Sequence, residues 1–102
     1  MPLFVTFEAP GMTVEQYDRV MEALEMRTDD DMPEGAASHV AGSTGDGILA
    51  VDVWESEEAL GAFVEGRLKS ALRQAGVDPD SLDVRVVPVH NRLRGRAGQP
   101  AA

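Results

Sequence analysis

Residues 46–58, Asp-Gly-Ile-Leu-Ala-Val-Asp-Val-Trp-Glu-Ser-Glu-Glu, limit what this chain can fold into more than any other stretch. Asp46–Gly47 is turn chemistry, and Ile48 to Trp54 is a run of β-formers apolar at nearly every position. Ser56 is an N-cap residue, with Glu57 and Glu58 placed to complement the positive end of a helix. A turn, a strand apolar on both faces and a helix start therefore follow one another directly. Such a strand must be covered on both sides. Asp52 alone interrupts the run, and the single tryptophan closes it.

The rest of the chain supplies matching elements. Leu3–Phe4–Val5–Thr6–Phe7 reads as a first strand ended by Pro10–Gly11. Thr13 and Gln16 have capping-box spacing, and Met12 and Tyr17 fall at the positions of a hydrophobic staple. Val14, Tyr17, Val20, Met21 and Leu24 keep helical spacing, which predicts a helix stopping near Met26–Arg27 with one buried stripe. Residues 35–43 are a weaker strand, joined through Gly42–Gly47 as a hairpin to strand 48–54. Leu60, Phe63, Val64, Leu68, Ala71, Leu72 and Ala75 make the stripe of the second helix, which ends at Gly76 and Pro79. Residues 83–90 are a last strand, with Pro88 fitting an edge or a bulge.

The order is βαββαβ: an α+β, ferredoxin-like domain over residues 1–92, with a four-stranded antiparallel sheet and two helices on one face. Residues 93–102 read as a flexible tail. By side-chain alternation Leu49, Val51 and Val53 share one face, and Ile48, Ala50, Asp52 and Trp54 the other. The purely apolar sets are expected under the helices. The mixed sets, with Phe4, Ile48 and Trp54, then need a second cover. A second copy of the chain is the simplest, sheet against sheet about a two-fold axis, enclosing a pocket.

Charge and composition exclude several functions. A net charge of −9 opposes nucleic acid and anionic membrane surfaces, which are met by basic patches. The chain has no cysteine, so it has no thiol nucleophile and no cysteine metal site. No run approaches the roughly 18 apolar residues of a membrane span, and the N-terminus lacks the basic start of a secretory signal. A cytoplasmic location is expected. The glycines at 42–47 lack the lysine of a phosphate-binding loop, and Asp29–Asp30–Asp31 lacks calcium-loop spacing.

Pro10–Gly11–Met12–Thr13 leading into Tyr17, Val53–Trp54–Glu55–Ser56 opening the second helix, and Pro88–Val89–His90–Asn91 closing the fold resemble the dimeric α+β barrel superfamily. Within it the likeness is to small proteins of the antibiotic biosynthesis monooxygenase type. The resemblance implies a homodimer with a pocket for a small organic molecule. In some members it implies cofactor-independent oxidation of aromatic or polyketide-like substrates, and in others haem degradation or no known reaction. Oxygenases of the group use tryptophan, asparagine, tyrosine and histidine in the pocket. Here Trp54, Asn91, His39 and His90 are available. The one tyrosine, Tyr17, is expected as staple or core, which argues against a tyrosine-assisted mechanism.

Two readings stand for each candidate. Asp52 pairs with an arginine such as Arg85 or with solvent, or it orients His39 on the neighbouring strand as a general base. By alternation His39 shares its face with Ala37 and Ala41. Trp54 plugs the sheet end, walls a pocket with Phe4, or does both. His90 and Asn91 cap the last strand or line a dimer mouth as substrate contacts. Haem ligation by His39 or His90 is not selected by any spacing. The function expected is a small-molecule-binding dimer acting as a cofactor-free monooxygenase, with His39 and Asp52 catalytic. The alternative is a non-catalytic binding or stress-response protein.

Overall fold

A computed structural model describes residues 1–95. Most of the expected tail, residues 96–102, lies outside the described residues. The elements run β1 (Leu3–Pro10), α1 (Val14–Leu24), β2 (Ala36–Ser43), β3 (Gly47–Trp54), α2 (Glu57–Phe63), a π-helical turn (Val64–Leu68), α3 (Lys69–Gln74) and β4 (Asp83–Pro88). The four strands form one antiparallel sheet in the order β2-β3-β1-β4. β4, carrying Pro88, is an edge strand as its sequence predicts, because an edge can lose a donor without breaking the ladder. α2, the π turn and α3 continue one another as the second helix, which packs beside α1.

Local chemistry sets the element ends. The Gln16 N–H donates to the Thr13 hydroxyl oxygen at 3.0 Å, and the Thr13 N–H donates to the Gln16 side-chain oxygen at 3.0 Å, so the capping box forms. α1 ends two residues earlier than its apolar spacing predicts, because Glu25 takes a left-handed conformation with φ 59°. Beyond it the Asp31 carboxylate accepts from the Arg27 and Thr28 N–H groups. The acidic triplet is thus a short 3₁₀ turn. The 42–47 turn needs its last glycine, since a Cβ on Gly47 would lie 2.3 Å from the Ala9 carbonyl oxygen.

Which faces are covered corrects the sequence reading. Leu3, Val5 and Phe7 meet the helices, as expected. In the register of β1 against β3, however, Leu3 lies opposite Trp54, Val5 opposite Asp52 and Phe7 opposite Ala50. Opposed residues share a face, so the mixed set Ile48, Ala50, Asp52 and Trp54 is the covered one. Trp54 is 1% exposed and packs on Phe63 with ring centroids 5.3 Å apart. The outer face carries Phe4, Leu49, Val51, Val53, Val87 and Val40. The sheet is still apolar front and back, but Ile48 and Trp54 are not in the open set.

A second correction follows from a bulge. β2 shifts register between Ala36 and Ser38, leaving Ala37 as the extra residue. Ala36, not Ala37, therefore joins His39 and Ala41 on the inner face.

Candidate functional site

Two elements meet at the site through their register. His39 on β2 is opposite Asp52 on β3, and both side chains point toward the helices, where α1 brings Tyr17 above them. His39 Nδ1 and Asp52 Oδ1 are 2.5 Å apart. The Trp54 indole N–H donates to Asp52 Oδ2 at 3.2 Å. The Tyr17 hydroxyl lies 2.6 Å from His39 Nε2, with the two ring planes parallel to within 2°. Trp54, Asp52, His39 and Tyr17 are thus joined in one chain.

The donors in that chain follow from the groups themselves. Asp52 is buried, and as a carboxylate it only accepts. Trp54 occupies one oxygen, so the other accepts from His39, whose proton is therefore on Nδ1. In the neutral imidazole Nε2 then has a lone pair, and the Tyr17 O–H donates to it. No buried side-chain nitrogen or oxygen among the described residues lacks a partner. This answers how the strand tolerates a buried acid, since unpaired it would cost several kcal/mol. Arg85 is not the partner: it lies opposite Thr6 on the outer face.

The chain of four forms one wall of a cavity between the sheet and the helices. Phe7, Ile48, Leu72 and Phe63 line it, as do Met12, Met21, Met26 and Met32. Tyr17, Met21, Met32 and Pro33, in α1 and the segment before β2, are half-buried members of its lining. About 70 Å³ is open to the centres of water-sized molecules. One water needs roughly 10–15 Å³ of such space, so the cavity has room for more than a single water. Methionine side chains are unbranched and adaptable, which lets the walls yield to a ligand.

Burial raises the Tyr17 hydroxyl above its ordinary value of 10.0, and the negative charges of Asp52 and then Asp18 add to the shift. The phenol thus stays protonated through the neutral range and acts as donor to His39. The unfolded chain gives up this proton at lower pH than the folded one. Stability should therefore be unaffected by this group below pH 10 and fall as pH rises beyond it. Because Tyr17 is the only tyrosine, an absorbance titration reads it alone. We expect the tyrosinate band to appear with a midpoint above 10, and a midpoint at or below 10 would contradict the described burial.

The sequence candidates are not all brought together. His39, Asp52 and Trp54 line the cavity, whereas Phe4 projects from the opposite face of the sheet. His90 and Asn91 follow β4 at exposed positions outside the cavity lining. Tyr17, expected as staple or core, is part of the site. Helical spacing told that Tyr17 faces inward, but which polar group its hydroxyl meets depends on how α1 packs over the sheet.

No family model matches the sequence, and no curated protein matches it. Solved structures do match in fold. One is a candidate antibiotic biosynthesis monooxygenase of Chloroflexus aurantiacus, at 20% identity and TM-score 0.58, covering 91% of this chain and 99% of that one. Another is SnoaB, a cofactor-independent oxygenase of Streptomyces nogalater, at 11% identity and TM-score 0.60, covering 92% and 97%. A third is a dimeric ferredoxin-like protein of unknown function from Jannaschia sp. CCS1, at 17% identity and TM-score 0.55, covering 87% and 100%. The chain has the ferredoxin-like α+β fold that these proteins share.

Proposed function

We propose that the protein is a homodimeric, cytoplasmic, cofactor-independent oxygenase of the antibiotic biosynthesis monooxygenase type, acting on a small phenol or enol. The observation that carries this reading is the histidine held between a buried carboxylate and a phenol at the wall of an apolar cavity. Asp52 fixes the tautomer of His39 and stabilises the imidazolium that forms when Nε2 receives a proton. Ionising a phenol places electron density on a ring carbon, which adds molecular oxygen. The peroxide takes up a proton, and loss of the ring C–H with O–O cleavage releases water and leaves a quinone. The sum, a phenol plus oxygen giving a quinone plus water, needs no further reductant. The oxygenase SnoaB, similar in fold, supports this choice of chemistry.

Dimerisation is supported by the outer sheet face, where Val40 is 68% and Val51 37% exposed beside Phe4, Leu49 and Val53. The Jannaschia protein, similar in fold, is a dimer. Among the described residues no helix is long and apolar enough to cross a membrane.

The test is oxygen uptake against a panel of single-ring phenols. His39→Gln should lower the rate by roughly a hundredfold to ten-thousandfold, the usual worth of a general base, with little change in melting temperature. A large loss of stability in the variant, with no oxygen uptake by the native protein on any phenol, would support the alternative of a non-catalytic binding protein.

A further inference from the structure

We propose that Tyr17, and not His39, is the group that meets the ligand's hydroxyl, and that the ligand's proton reaches His39 through it. The inference rests on the base chemistry proposed for this site. Both nitrogens of His39 are engaged, Nδ1 with Asp52 at 2.5 Å and Nε2 with the Tyr17 hydroxyl at 2.6 Å. Both Asp52 oxygens are engaged as well, the second by Trp54. A ligand entering the cavity therefore finds no free lone pair on His39, and the Asp52 carboxylate, already holding two donors, is buried. The Tyr17 oxygen has lone pairs left after donating its proton and no other partner among the described residues. Tyr17 is half-buried where Asp52 is buried, which makes its oxygen the acceptor a ligand reaches.

The proton balance closes within the chain. The ligand O–H passes its proton to the Tyr17 oxygen as the Tyr17 proton moves to His39 Nε2. The ligand is then an anion accepting from the Tyr17 O–H, and His39 is an imidazolium between Tyr17 and the Asp52 carboxylate. Tyr17 is a neutral phenol before and after, so a tyrosinate need never accumulate in the buried site. The net charge of the enclosed groups is unchanged, which is what an apolar cavity requires. The same geometry selects the ligand. Among the described residues that line the cavity no lysine or arginine appears, and Asp52 is an anion. A carboxylate-bearing ligand would be repelled without compensation, so the ligand is neutral on entry and carries an acidic O–H.

The probe is 4-nitrophenol, whose anion has its own visible absorption band, bound to the full-length protein below the pKa of the free phenol. Quenching of the Trp54 fluorescence reports binding separately from ionisation. The native protein should bind the probe as its anion. Tyr17→Phe should still bind it while the bound anion, measured against neutral probe, falls at least about tenfold, the equivalent of one pKa unit. His39→Gln should lose it to the same degree. Should Tyr17→Phe ionise the probe like the native protein while His39→Gln does not, the relay is wrong and His39 as base survives. If His39→Gln also ionises it, or the native protein does not, both readings fail. Replacement of the sole tyrosine by 3-fluorotyrosine preserves the packing should Tyr17→Phe not fold. Its more acidic phenol donates more strongly to the bound anion and should raise the anion fraction. An unchanged fraction would overturn the relay.

Discussion

Asp52→Asn should leave the fold in place and lower turnover of a phenol by roughly a hundredfold to ten-thousandfold. An asparagine has one acceptor oxygen where the carboxylate has two. The Trp54 N–H, at 3.2 Å from Asp52 Oδ2, would claim that oxygen, turning the amide NH₂ toward His39 Nδ1. Nδ1 must then accept, so the imidazole proton moves to Nε2 and the Tyr17 hydroxyl becomes the acceptor. The chain of hydrogen bonds survives with its direction reversed. His39 can no longer take a proton at Nε2, and no carboxylate remains to stabilise an imidazolium. The ¹⁵N shifts of the His39 ring distinguish the two tautomers directly. Retention of the Nδ1–H tautomer with full activity in Asp52→Asn would remove Asp52 from the mechanism.

Trp54→Ala should give the largest loss of stability, about 3–5 kcal/mol, as expected for deleting a fully buried tryptophan. The side chain is 1% exposed, packs on Phe63 and supplies one of the two donors to a buried carboxylate. Its removal leaves a cavity and an unsatisfied oxygen together. Domains of this kind are stable by roughly 5–15 kcal/mol in all, so the loss is a large share. Urea denaturation followed by circular dichroism should show a lower midpoint with the slope unchanged. Trp54→Phe separates the contributions. It keeps most of the ring contact and loses the N–H, and should cost only about 1–3 kcal/mol, the penalty of one unpaired buried polar atom. A loss below about 1 kcal/mol in Trp54→Ala would mean that the indole is not locked between sheet and helix.

Local signals in the sequence were enough for the elements and their order. The capping box at Thr13 and Gln16, the turn at 42–47, the alternation of strand 48–54 and the N-cap at Ser56 are all decided by residues within a few positions of one another. Short-range hydrogen bonding and steric preference do not need the rest of the fold to act. The limits of α1 were less legible, because Glu25 enters the left-handed region without the glycine that usually marks such an end.

What the sequence by itself determined is a βαββαβ chain whose central strand must be covered twice, since nearly every position of 48–54 is apolar. Only the tertiary structure decided which side faces the helices. That choice turns on the pairing parity of β1 with β3, and a slip of one residue would exchange every side chain between the faces. The same long-range register set Asp52 beside His39 and left Phe4 on the far side. The way α1 packs over the sheet then placed the Tyr17 hydroxyl on the remaining imidazole nitrogen. No local pattern encodes a contact between residues 22 positions apart, because it arises only when separate elements pack.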